Sequence, residues 1–172
     1  MPSAQGGCLC GRIRYEVRAE PTNVTMCHCR FCQKATGTAY MVEPIFEKAD
    51  FVLLSGEPRV YEHVSKASGK KLFIHFCTDC GTHTHLFLER WPDEVGVYAG
   101  TFDDPNWFEI TPENSKHIFL GVAIHGTMIP PDVPAFEEHA RTLENVPIAP
   151  TVFRQAVAVG SPEHRAGARE DG

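Results

Sequence analysis

The chain has 172 residues, 16 Lys and Arg against 22 Asp and Glu for a net charge of -6, and seven cysteines. That length fits one domain able to bury roughly two-thirds of its unfolded surface without stapling, and the odd cysteine count excludes complete disulfide pairing within the chain. The negative, interspersed charge excludes a nucleic-acid binder, no stretch approaches the roughly 20 apolar residues of a membrane span, and "MPSAQGGCLC" lacks the basic start and apolar run of a signal peptide. The expectation is a cytoplasmic protein whose thiols stay reduced and serve metal binding or catalysis.

In chain order, period-two alternation dominates. "GRIRYEVR" puts Ile13, Tyr15 and Val17 on one face, the pattern of a half-buried strand. "AYMVEPIF", "DFVLL", "RVYEHV", "KLFIHF", "HTHLFLE" and "EVGVYAG" predict further strands, separated by Gly, Pro, Asp and Ser. Helix is expected only as a single turn at Arg30 to Thr36 and as one small acidic, C-terminal helix around Pro134 to Arg141, opened by proline. The fold class is mainly β. A domain over 1–146 is expected, with 147–172 as a partly flexible extension whose "SPEHRAGAREDG" reads as a solvated tail.

The cysteines sort by spacing. "FCTDCG" is a zinc-knuckle pattern in which a strand delivers Cys77, the chain turns through Thr78 and Asp79, and Gly81 takes the positive φ that returns Cys80 beside it. "CLCG" supplies Cys8 and Cys10, with Gly6, Gly7 and Gly11 allowing the bend. Four thiolates close a tetrahedral zinc, the mark of a structural site. The plain alternative is two unrelated thiol pairs in the core. "CHCRFC" leaves Cys27, Cys29 and Cys32, three ligands for a second zinc. Three protein ligands are the arrangement of catalytic sites, whose fourth position takes water or substrate, and an all-sulfur set favours another soft ligand, an incoming thiol. His28, His75, His83 or His85 filling that position would make the site a second staple, and oxidation of the triplet would make it a redox sensor.

The motifs "GGCLCGRIRYEV", "CHCRFCQKATGTAY", "FCTDCGTHTHLF", "YAGTFDDP" and "HIF...PDVPAFEEH" together resemble the glutathione-dependent formaldehyde-activating enzyme family, which also includes centromere protein V. The resemblance spans roughly Gly6 to His139. It implies a β-tent fold with a structural zinc on Cys8, Cys10, Cys77 and Cys80 and a catalytic zinc on Cys27, Cys29 and Cys32. It further implies a carbon-sulfur lyase or synthase acting on a glutathione-type thiol adduct such as S-(hydroxymethyl)glutathione, with glutathione or a similar thiol and an aldehyde as partners, and a homodimer. The alternatives are a noncatalytic zinc scaffold and a thiol redox sensor. His28, Arg30, Lys34 and Thr38 are candidate proton donors to the alkoxide formed on addition. Where many family members have a Pro-Trp pair, this chain has His125 and Gly126, so Phe102, Trp107 and Phe108 are the aromatics left to line a pocket or fill the core.

Overall fold

The computed structural model describes residues 2–170 and is mainly β. Its chain forms two compact units, one from the residues up to Asn23 with Glu43–Glu109, the other from Val24–Val42 with the described residues from Ile110 on.

The first unit holds an antiparallel sheet β1-β2-β5, made of β1 (Ala4–Gly7), β2 (Arg14–Val17) and β5 (Phe51–Ser55). It also holds an antiparallel ladder, β4-β9-β8-β7-β6, from β4 (Met41–Glu47, of which Glu43 onward lies here), β6 (Arg59–Val64), β7 (Lys71–Phe76), β8 (His83–Leu88) and β9 (Trp91–Val97). The alternation in "GRIRYEVR" works as expected: Ile13, Tyr15 and Val17 are buried, while Arg14 faces outward to a bidentate ion pair with Asp103. Tyr15 and Val17 join Phe46, Val95, Val97 and Phe102 in one apolar cluster, against which Trp107 and Phe108 pack. Trp107 and Phe108 are partly buried at the edge of this cluster, and Phe102 is core. Each such side chain removed from water contributes about 2–3 kcal/mol, and the Tyr15 hydroxyl is satisfied by Thr101 at 2.8 Å.

The second unit is built on β13-β12-β10-β3, from β3 (Asn23–Cys27), β10 (Ser115–Ile118), β12 (Pro134–Ala135) and β13 (Thr151–Val152). Strand β3 runs parallel to β10 with Cys27 opposite Ile118. A second pair joins β11 (Met128–Ile129) to β14 (Val157–Ala158). Helix α1 (Arg30–Thr36) stands where the single turn was expected.

The helix expected around Pro134 to Arg141 is not formed. Instead Pro134 and Ala135 are strand, and the carbonyls of Phe136, Glu137 and Glu138 accept from the amides of Leu120, Gly121 and Phe119 at 3.0, 3.0 and 2.8 Å. Proline suits the start of a strand as well as that of a helix, and these tertiary bonds supply the backbone partners that helix would otherwise supply. The small C-terminal helix is α2 (Pro162–Glu170). Its first turn is capped by Ser161, whose hydroxyl accepts from the His164 amide at 3.2 Å. Within the stretch read as an extension from 147, β13, β14 and α2 form, and Phe153, Val157 and Val159 are buried with Leu120, Ala123, Ile129 and Ala135. No helix among the described residues is long and apolar enough to cross a membrane.

His85 lies in the first unit, stacked on His75 at 4.3 Å between ring centroids and packed against Phe51 at 4.5 Å. Burial pushes His85 down to about 3 and lowers His75 as well. An unfolded histidine takes up its proton near pH 6.5, so between about 6.5 and 3 the unfolded chain binds the extra proton. The contribution of His85 is thus whole above about pH 6.5 and is lost as pH falls toward 3. Urea denaturation from pH 6 to 4, at fixed zinc and reductant, is expected to show a pH slope in His85→Phe shallower than in the parent by about 1 kcal/mol per unit. Equal slopes would contradict this.

Candidate metal centres

All seven cysteines are free of disulfides and fall into two groups, Cys8, Cys10, Cys77 and Cys80 in the first unit and Cys27, Cys29 and Cys32 in the second, each with its Sγ atoms within 4.8 Å of one another. This is the partition read from spacing.

In the four-cysteine group, Cys77 follows β7 directly, its amide donating to the Thr82 carbonyl at 2.9 Å. Gly81 has φ +72° and donates to the Cys77 carbonyl at 2.9 Å, closing the knuckle as the sequence predicts. The Cys8 amide donates to Ile13 at 3.1 Å, and the Ile13 amide donates to Cys8 Sγ at 3.3 Å. Cys8 and Cys10 Sγ are 3.4 Å apart, and Cys10 and Cys77 Sγ 3.6 Å. A tetrahedron with Zn–S bonds of about 2.3 Å has edges of about 3.8 Å, so the donor set fits zinc. Hydrogen bonds from the Thr82 hydroxyl and amide draw Cys80 down to about 5. Because Cys8 and Cys10 converge, Leu9 between them is turned out and is 88% exposed.

In the three-cysteine group, Cys27 ends β3, Cys29 caps α1 and Cys32 lies in its first turn. The Cys29 sulfur accepts from the Cys32 amide at 3.3 Å, the bond a helix N-cap makes with the third helical residue. That is why C-x-x-C at a helix start brings two sulfurs together. Cys27 and Cys32 are buried and Cys29 is half-buried. Hydrogen bonds from the Cys27 and Cys32 thiols, with the Cys32 and Phe31 amides, pull Cys29 down to about 3, while Cys27 and Cys32 are held well above the ordinary thiol range, chiefly by Cys29 and by Cys27 respectively. Three thiols whose sulfurs lie within 4.8 Å of one another are a soft donor set, so zinc fits here too.

Among the described residues no histidine, aspartate or glutamate joins this triplet. His28 points instead to His117, Nε2 to Nδ1 at 2.9 Å, and packs against Tyr40 at 4.8 Å. Burial pushes both imidazoles down to about 4. His75 stacks on His85, and His83 lies against Tyr98 at 5.5 Å. The Thr38 hydroxyl donates to the Tyr40 carbonyl at 2.6 Å. Sequence reading missed His117 and Gln33. The Gln33 carboxamide nitrogen donates to the carbonyls of His28 at 2.6 Å and Val122 at 3.0 Å, and its oxygen accepts from Arg30 Nη1. The His28 amide donates to Ile118 at 3.0 Å. The peptide between two of the ligands is therefore held on both sides.

With two cysteine clusters in place, comparison with known proteins decides the family: the profile for "Glutathione-dependent formaldehyde-activating enzyme" matches residues 3–121. The chain belongs to this family. A relative from Halomonas elongata, described as "Putative glutathione-dependent formaldehyde-activating enzyme", is 25% identical over 156 residues, covering 80% of this chain and 94% of the relative. A crystal structure of a Rhodobacter sphaeroides protein is 23% identical, covering 62% of this chain and 96% of that one, with a TM-score of 0.48. Where many family members are expected to have Pro-Trp, this chain's Gly126 adopts φ +84° and its amide donates to the Val159 carbonyl at 3.0 Å. That conformation is one that glycine adopts without strain.

Replacing Gln33 by Leu removes the donor to two carbonyls. Unfolding in urea is expected to show a loss of about 2 kcal/mol, and competition with a chromogenic chelator a fall in zinc affinity of at least about tenfold. Unchanged zinc affinity would show that the carboxamide does not shape the cluster.

Proposed function

We propose that the chain is a zinc-dependent carbon-sulfur lyase or synthase that interconverts a glutathione-type thiol plus an aldehyde with their adduct, S-(hydroxymethyl)glutathione being the type case. The observation that carries this reading is the triplet of Cys27, Cys29 and Cys32, three sulfurs in a chain of this family with no fourth protein ligand among the described residues. Cys8, Cys10, Cys77 and Cys80 would hold a structural zinc.

Zinc bound at the triplet supplies Lewis acidity that favours the thiolate form of a substrate sulfur at neutral pH. The residues of the chain provide the rest. Cys29 is the most accessible ligand and marks the side from which substrate approaches. The bonds from Gln33 and to Ile118 hold the ligand peptide still, so orientation is fixed before substrate arrives. In the addition, a bond forms between the thiol sulfur and the carbonyl carbon, the C=O π bond opens, and the thiol proton ends on the new hydroxyl oxygen. Nothing is oxidised or reduced. The reverse step breaks the carbon-sulfur bond and returns the proton to sulfur. Arg30 and Lys34 flank Cys29 and Cys32 in sequence and are exposed, while His28 is buried against His117 and Tyr40, which leaves it a structural part here.

Zinc stoichiometry and zinc-edge X-ray absorption, with and without glutathione, test this reading. Two zincs are expected, one gaining a sulfur neighbour when glutathione is added. Cys29→Ser is expected to keep the circular dichroism of the parent and lose about a hundredfold or more of adduct formation. One zinc that does not respond to glutathione, with no turnover, would make the chain a scaffold. Reversible oxidation of the triplet with loss of one zinc would make it a redox sensor.

A further inference from the structure

In a chain of net charge -6, the segment Val24–Val42 contains Arg30 and Lys34 and no Asp or Glu. The stretch 118–131, which supplies the Ile118 and Val122 carbonyls to this segment, has no acidic residue either. Arg30 opens α1 immediately after Cys29, and Lys34 follows four residues later, so both cations rise from one face of the helix. Both are exposed, and among the described residues neither is in an ion pair.

Arg30 is held in place as well as charged. Its Nη1 donates to Gln33 Oε1, and the other end of that buried carboxamide is anchored on the His28 and Val122 carbonyls. One of its five N–H groups is spent in this way. The others remain for a ligand, on a guanidinium whose orientation is fixed by the same side chain that fixes the cysteine turn. A planar guanidinium pairs with carboxylates through two parallel hydrogen bonds, whereas an ammonium acts as a point charge.

We propose that Arg30 and Lys34 are the specificity-determining pair of the three-cysteine site, selecting thiols that carry carboxylates near the sulfur. This rests on the thiol-addition reading above and deepens it. Glutathione, with a carboxylate on each side of its thiol, is such a ligand, and a neutral thiol is not.

The test compares glutathione with its diethyl ester, each with formaldehyde, using exchange NMR to follow adduct formation above the uncatalysed rate. In the parent, KM for glutathione is expected to be about tenfold or more below that for the ester. In Arg30→Ala with Lys34→Ala this ratio should collapse toward one, with zinc content and circular dichroism unchanged. Calorimetric titration with glutathione gives a second readout: binding to the parent should weaken as salt is raised, and binding to the double variant should be weak and insensitive to salt. Turnover of both thiols with equal KM in the parent, or a ratio that survives in the double variant, overturns the specificity pair and leaves the lyase reading standing. If fully metallated protein turns over neither thiol, the lyase reading fails instead, and calorimetry decides for the pair: salt-sensitive binding lost in the double variant supports it, and its absence overturns it.

Discussion

Convergence of sulfur atoms is the constraint on which the rest of this structure depends, and the two clusters meet it in opposite ways. Cys10 and Cys77 are brought to 3.6 Å from positions 67 residues apart. Closing a loop of that length costs entropy, and a strong contact at its ends helps to repay it. A cation shared by the four thiolates would be such a contact, joining the turn before β2 to the turn after β7. The triplet closes no long loop, since its three sulfurs come from six consecutive residues. It adds little to holding the chain together, and its shape depends on neighbours. The Gln33 clasp, the Ile118 carbonyl and the helix cap made by Cys29 supply that support. One cluster joins segments distant in sequence, and the other takes its shape from its immediate neighbours.

Much of this was legible in the residues because spacing alone dictates it. Strand β7 coincides with "KLFIHF", and the knuckle glycine takes the conformation that the C-x-x-C turn demands. The cysteines sort into the same two groups in space as along the chain. Strand β3 was not legible. Four of its five residues are buried, so it shows no alternation, and its partner β10 lies some ninety residues away in parallel pairing. His117 and Gln33 were missed for a related reason: the bonds from His117 to His28 and from Gln33 to Val122 each span 89 residues, although Gln33 also bonds to His28 and Arg30 nearby.

The two helix assignments near the C-terminus show how a local signal can lose to tertiary bonding. Pro134 followed by Glu137 and Glu138 has the composition of a helix start, yet the carbonyls that would begin the helix are claimed by the backbone of 119–121. Ser161, Pro162 and Glu163 have the same composition and do begin α2, with Ser161 as cap. What separates the two cases is whether the following carbonyls already have partners, and that is a property of the folded chain. The low apolar content of "SPEHRAGAREDG" disguised the second signal.

Both C-x-C pairs place one residue between two converging sulfurs, yet with opposite results. Leu9 is 88% exposed and His28 is wholly buried. Among descendants of this chain, position 9 should drift freely through side chains of every size, while position 28 should stay fixed. The slower of the two evolutionary clocks would then tick beside the three-cysteine cluster, at a residue packed against His117 and Tyr40.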